Sequence, residues 1–375
     1  MLANSKGEKH MWYFVVSTTV IAVFMAVIYM IICIGRFGLV KKLANGKRWI
    51  NIIISFIILL FTMSVLSILT TPLNSLIMSL NTLMFMLFSA ALVKVIRCTT
   101  NYRPKINLQG WIAIIASTIT LIIGHYLCKN VWQTNYKLTT EKDLGDLRIA
   151  LISDSHIGTT FDGDGFAEHI KTIEKQSPDV LFIAGDFVDD LTKKKDMLRA
   201  CEALGDTNFK YGVWYIFGNH DEGFFNKRDF TAVELETALK SNNVHILVDE
   251  YELVDDRFYV VGRNDSSFKE RDIISKVMRG IRKDKYIIVL DHEPNDYNNE
   301  AATSADLVLS GHTHGGQLFP VTLLVDWFNI NDRTYGYEKR NGTEFIVTSG
   351  ISDGQIIFKT GTKSEYVIID VSQKK

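Results

Sequence analysis

The first 130 residues of this 375-residue chain hold one acid, Glu8, against twelve lysines and arginines. Residues 131–375 hold the other 41 acids and 29 bases. A single soluble globule does not segregate its acids this way, so the formal net charge of -1 hides two unlike parts. Cysteine is scarce too. Cys33, Cys98, Cys128 and Cys201 form no CxxC pair, so neither a disulfide framework nor a thiolate zinc site is supported. There is no internal repeat and no low-complexity tract. No G-x-S-x-G and no Cys–His pair points to a covalent intermediate, and Gly315-Gly316 lacks the G-K-[ST] of a phosphate-binding loop. The overall charge balance says nothing about nucleic acid, and no nucleic-acid partner is expected.

What the chain has instead begins with long apolar runs. Four segments, about 12–34, 49–69, 76–96 and 111–127, carry almost no charge. About 20 apolar residues span the hydrocarbon core as a helix, which puts the fourth run at the short limit. Trp49 and Trp111 stand at run edges, where amphipathic rings favour the interface. The first run is too long for a cleaved signal peptide. The expectation is therefore an all-α transmembrane bundle of four helices over residues 1–128. The loops after spans one and three carry nine lysines and arginines and no acid. Positive loops stay in the cytoplasm, which puts both termini, and the domain beyond, outside the cell membrane. His125, near the end of span four, is expected to sit at the interface. Residues 129–146 are polar and read as a linker.

From Leu147 onward one pattern recurs. Short, fully apolar, β-branched runs end abruptly in polar clusters. Ile149–Ser153 ends in Asp154-Ser155-His156, and Val180–Ala184 in Gly185-Asp186-Phe187-Val188-Asp189. Val213–Phe217 ends in Gly218-Asn219-His220-Asp221, and Ile287–Leu290 in Asp291-His292. Leu307–Leu309 leads to Gly311-His312-Thr313-His314-Gly315-Gly316. Runs apolar on both faces are central strands, and the intervening segments have helical periodicity, so a layered α/β core is expected over 147–375. In such sheets sites gather at the carboxyl ends of the strands. Imidazole, carboxylate and amide oxygen together suit borderline-hard divalent ions, and this many ligands suits two of them sharing a carboxylate.

These five blocks resemble, in order and spacing, the calcineurin-like metallophosphoesterase family, and with the apolar N-terminal part they are similar to its bacterial membrane-associated branch. The resemblance implies a two-sheet sandwich flanked by helices. It implies one metal held by Asp154, His156, Asp186 and His314, and a second held by Asp186, Asn219, His292 and His312, with Asp186 bridging. It implies that His220 faces the scissile phosphate and that Asp221 orients it. Manganese, iron and zinc all fit the ligands, with manganese favoured.

The function expected is that of a membrane-anchored hydrolase cleaving a phosphoester or pyrophosphate. A hydroxide between the two metals would attack, and His220 would donate a proton to the leaving group. The alternative is a catalytically inactive metal-binding sensor or scaffold. Asp189 reads equally as a strand-end cap or a partner to a ligand, and Asp190 and Asp291 as solvated or supporting. His169 and His245, outside any cluster, read as structural. Phe224, Phe225, Leu318, Phe319, Leu323, Leu324, Trp327 and Phe328 follow the metal motifs closely. They either pack on the domain or face the bilayer and admit a lipid-linked substrate.

Overall fold

The computed structural model describes residues 5–100, 104, 106–223, 227–268 and 270–374, with side chains at residue 17 and from residue 20 onward. Two compact units meet between Ile122 and Ile123.

The first unit is helical: α1 (Ser5–Ile34), α2 (Gly38–Leu43), α3 (Arg48–Leu69), α4 (Pro72–Thr100) and the greater part of α5 (Leu108–Lys129). Uninterrupted apolar sequence lets each long helix satisfy its own backbone, which a hydrocarbon environment requires. Pro72 ends the run from α3 and opens α4, where its missing N–H and fixed φ cost nothing. Among the described residues three helices, α3, α4 and α5, are long and apolar enough to cross a membrane. The expected fourth run is longer than its apolar stretch, because Leu108-Gln109 and Cys128-Lys129 continue the helix at either end. The expected first span lies in α1. Its early side chains fall outside the described residues, and the described apolar part is Val20–Ile34. Polar side chains link the helices: Ser117 donates to Asn81 at 2.9 Å, and Gln109 donates to the Met86 carbonyl at 3.1 Å. Without a hydrophobic drive between helices in lipid, such bonds and small residues do the joining.

The second unit runs β1 (Trp132–Thr140), β2 (Leu147–Ile152), α6 (Gly163–Glu174), β3 (Val180–Ala184), α7 (Lys194–Gly205), β4 (Val213–Ile216), α8 (Ala232–Ser241) and β5 (Val244–Ile246). It continues through β6 (Glu250–Val254), β7 (Phe258–Gly262), α9 (Ile274–Val277), β8 (Tyr286–Leu290), α10 (Tyr297–Glu300), β9 (Leu307–Ser310), α11 (Val321–Trp327), β10 (Gly336–Arg340), β11 (Thr343–Val347) and β12 (Glu365–Gln373). The strands form two six-stranded sheets, ordered β1-β12-β2-β3-β4-β5 and β10-β11-β9-β8-β7-β6.

Alternation along each strand explains the fully apolar runs. In β2, Ile149 and Leu151 face inward with Phe182 and Trp214 of the same sheet, into a cluster shared with Ile288 and Leu309 of the other. Ala150 and Ile152 face outward, under Phe166 and Ile170 of α6 and Met197 and Cys201 of α7. A strand covered on both faces has no solvated side to mark with polar residues. Removing each large apolar side chain from water contributes about 1.5–3 kcal/mol. The helices are locally specified as well: Asp162 caps α6, and Thr231 and Glu234 form a capping box on α8.

The segment expected as a linker, 129–146, carries β1, which pairs in parallel with β12 from Trp132 to Thr140. Its sequence looked like a linker because it is an edge strand. Only Leu138 and Thr140 are buried, and the other positions are polar or aromatic and partly exposed.

Candidate metal centre

The parallel strands β2, β3 and β4 end together in one sheet, and β8 and β9 in the other. Main-chain bonds carry the ladders a step past the strands: the Asp154 amide donates to Gly185, His156 to Asp186, and Gly311 to His292. The chain then turns hard. Asp154, His156, Asp186, His312 and His314 all have left-handed φ, between 37° and 66°. Such conformations are uncommon for residues with a Cβ and persist where the surroundings hold them. Gly185, at φ 83°, supplies the turn that tight packing leaves no other residue room to make. A Cβ there would stand 2.6 Å from His292 Nδ1 and 2.8 Å from the Gly218 backbone.

Two groups of ligand atoms result. Asp154, His156 and His314 form one, and Asp186, His292 and His312 the other, each with its atoms within 4.8 Å of one another. Asp186 Oδ2 lies 3.7 Å from His156 Nε2 and 3.3 Å from His292 Nε2, so one carboxylate oxygen faces both groups. Asn219 Oδ1 stands 3.2 Å from His292 Nε2 and 3.1 Å from His312 Nδ1, completing the second. His314 Nε2 is 3.7 Å from Asp154 Oδ1. All seven expected ligands are thus brought together.

The donor set fits divalent ions. His156 is 1% exposed, yet neither ring nitrogen makes a hydrogen bond among the described residues, a costly state for a buried polar group that a cation would relieve. Of the outward nitrogens, that of His292 is hydrogen-bonded, as in ligating imidazoles, and those of His156 and His314 face carboxylates. His292 Nδ1 is 2.7 Å from the Ala184 carbonyl, His156 Nδ1 is 3.5 Å from Asp189, and His314 Nδ1 is 3.2 Å from Asp353. Burial opposes charge on His156, but the Asp189, Asp186 and Asp154 carboxylates outweigh it and raise its pKa to about 9. Burial likewise opposes charge on Asp186, and there the neighbouring His292 and His156 win, holding the carboxyl well below its usual range.

One expectation about the proton donor changes. The Asp221 carboxylate serves the main chain rather than the His220 ring. Its Oδ2 accepts from the amides of Asp186 and Gly218, and its Oδ1 from those of Phe187 and Val188, at 2.8–3.1 Å. Asp221 therefore braces the loop that presents Asp186. Burial, reinforced by Asp186, pushes its pKa up to about 6. The pKa of His220 is lowered, not raised, because burial outweighs the pull of Asp186. The His220 ring packs edge-on against His156 at 5.0 Å, facing the first group.

Other expectations resolve one by one. Asp189 does both of its proposed jobs, since its Oδ1 accepts from the Leu191 amide. Asp291 is a buried partner of Arg263 and Arg271. His169 and His245 pack on Phe161 and Trp214 as structural residues. His125 sits 3.1 Å from the Ile357 carbonyl, held by the second unit. Phe224 and Phe225 lie outside the described residues. Phe319, Leu323, Leu324, Trp327 and Phe328 are exposed, and α11 has no buried residue.

Sequence reasoning missed Asp353, Lys359 and Cys128. Asp353 is fully buried and lies 3.4 Å from the buried ammonium of Lys359, which also donates to the carbonyls of Ser349 and Ser352. The Cys128 thiol donates to the same carboxylate at 3.0 Å. The signal was present: Phe345–Val347 ends in Thr348-Ser349-Gly350-Ile351-Ser352-Asp353, another apolar run breaking into a polar, glycine-bearing cluster. Asp265, buried beyond β7, follows the same rule.

Paired metal sites at the carboxyl edge of a two-sheet sandwich define a class of dinuclear phosphoesterases. The family profile described as calcineurin-like phosphoesterase matches residues 147–316. A metallophosphoesterase of Aquifex aeolicus is 30% identical over 64% of this chain and 91% of its own length. One of Campylobacter jejuni is 31% identical over 61% of this chain and 60% of its own. A zebrafish protein named as a transmembrane protein with a metallophosphoesterase domain is 29% identical over 69% of this chain and 62% of its own. The chain belongs to the calcineurin-like phosphoesterase family. It spans less than two thirds of the Campylobacter and zebrafish relatives. Its three apolar helices and its transmembrane relatives make it a membrane-associated member.

If Asp353 orients His314, Asp353→Asn weakens one of two bound ions by about 10–100-fold and leaves the other unchanged. Titration with Mn²⁺ followed by calorimetry reads this; two unaltered binding steps would contradict it.

Proposed function

We propose that this protein is a membrane-anchored hydrolase that cleaves a phosphoester or pyrophosphate bond with two divalent ions. The observation that carries the reading is Asp186 Oδ2 facing both ligand groups at once. Asp154, His156, Asp186 and His314 would hold one ion, and Asp186, Asn219, His292 and His312 the other. Manganese, iron and zinc suit these donors, with manganese favoured. Such a pair supplies an acidified water as nucleophile and Lewis-acid neutralisation of the phosphoryl oxygens.

The protein's own contribution is positional. Asp221 holds the Asp186 loop through three main-chain bonds. Asp189 and Asp353 stand beside the outward nitrogens of His156 and His314, suited to orient the rings. His220 stands half-buried beside the first group, suited to give a proton to the departing oxygen.

Asp186→Asn is expected to abolish turnover and loosen both ions. His220→Ala is expected to keep both ions and to lose about 10²–10⁴ in rate, and to lose less on p-nitrophenyl phosphate, whose leaving group needs no proton. Assays on the full chain with metal content measured alongside test both. Normal turnover by Asp186→Asn would overturn the bridging role of Asp186, and no turnover by the metal-loaded native chain would favour the alternative, a catalytically inactive metal-binding sensor or scaffold.

The membrane part is read as four crossings, α1 included, and the catalytic domain as extracytoplasmic. The support is the nine basic and no acidic residues in the loops after the first and third crossings. An exposed cysteine introduced at Val233 should react with an impermeant maleimide in intact cells. Protection until lysis would reverse the orientation.

The substrate is read as lipid-linked. Trp327 is 81% and Phe328 70% exposed, and with Leu323, Leu324 and Phe319 they form an apolar surface that α11 leaves uncovered. That surface is tied to the end of α5: the Phe319 amide donates to Thr360 Oγ1, and the neighbouring Lys359 amide to the Gly124 carbonyl. An anchored domain with such a face is suited to take a phosphate whose tail stays in the bilayer. Trp327→Ala should slow hydrolysis of a lipid-linked pyrophosphate several-fold more than hydrolysis of p-nitrophenyl phosphate. An equal response on both would make the substrate soluble.

A further inference from the structure

The helical unit contains a groove of about 1080 Å³ that the phosphoesterase reading does not use. Its rim is basic: Arg36, Lys41, Lys94 and Arg97 line it. Arg36 follows α1, Lys41 lies in α2, and Lys94 and Arg97 lie near the end of α4. Successive crossings bring the end of α1, the start of α3, the end of α4 and the start of α5 to one membrane face, so the four cations share a level.

The cations lack carboxylate partners. Glu8 is the sole acid before residue 141, and among the described residues no ion pair involves any of the four. One guanidinium nitrogen of Arg36 donates to Gln109 Oε1 at 2.8 Å, an amide that cannot neutralise it. Four exposed cations without a carboxylate partner make a concentrated positive charge that attracts an anion.

Below the rim the groove is apolar. Ala90, Val93, Trp111 and Ile114 form its walls, and Ile58 its depth. Ile58 is ten residues into α3, about 15 Å from the helix start at 1.5 Å per residue. The groove thus passes from a charged mouth into the level of the hydrocarbon. A free phosphate would leave that apolar part unfilled, and an acyl chain alone would leave the cations unmatched.

We propose that this groove is a binding site for an anionic glycerophospholipid, its phosphate held by Arg36, Lys41, Lys94 and Arg97 and an acyl chain lying along Val93, Ile114 and Ile58. Basic pockets between membrane helices suit anionic lipid headgroups for this reason. The site lies wholly within the first unit and does not depend on turnover by the second.

Native mass spectrometry of the full chain, released from nanodiscs of mixed phosphatidylglycerol and phosphatidylcholine, tests it. Phosphatidylglycerol should be retained about tenfold over phosphatidylcholine, and Lys94→Gln combined with Arg97→Gln should remove that preference. Added inorganic phosphate should not displace the lipid. Ala90→Phe, which fills the apolar wall and leaves every charge, should also lower retention; it decides the matter if the charge variant fails to fold. Equal retention of both lipids, retention unchanged by Ala90→Phe, or displacement by inorganic phosphate would each overturn the proposal.

Discussion

The second unit is organised around one carboxylate. Asp186 must stand between two sets of imidazoles with one oxygen facing both, while buried and unable to use water. Its other oxygen accepts the His220 amide at 2.8 Å. Its own amide and the next two are gathered by Asp221, and Gly185 and Gly218 leave room on either side. A buried carboxylate is costly unless charge and hydrogen bonds compensate it. Nearly every polar residue at this edge can be understood as compensation for Asp186 or as a partner to its neighbours.

That arrangement stores strain. Five ligands sit in left-handed conformations, each costing on the order of 1–3 kcal/mol. Acids and imidazoles are crowded into the same space. The surrounding core offsets this: two sheets share an apolar interior, and helices cover much of their outer faces. The ligands project from strand ends, the stiffest places available, and their outward nitrogens are held in turn. The helical unit faces a different constraint. Its long helices are apolar, and their polar groups bond across helices or collect near the ends, where the basic groove lies.

Much of the site was legible because strand ends in a layered sheet are marked twice, by a buried apolar run and by the break in it. Asp154, His156, Asp186, Asn219, His292, His312 and His314 each follow such a break. Asp353 and Asp265 follow the same kind of break and were overlooked, because a lone carboxylate after a strand is usually a cap or a turn residue. β1 was misread because a mostly solvated edge strand carries the composition of a linker.

The sequence by itself determined that the chain has a long apolar helical part and an α/β part, and which candidate ligands lie at the strand ends. Those features are local: apolar runs, charge segregation and residue spacing need no knowledge of distant contacts. Tertiary structure alone decided that Asp221 supports the backbone of the Asp186 loop and not the ring of its neighbour His220. It also decided that Cys128, at the end of a membrane helix, donates to Asp353, which stands against His314. Those partners are 225 and 39 residues apart in the chain. No spacing rule joins them, and only the packing of the strands and of the last turns of α5 brings their donors and acceptors into reach.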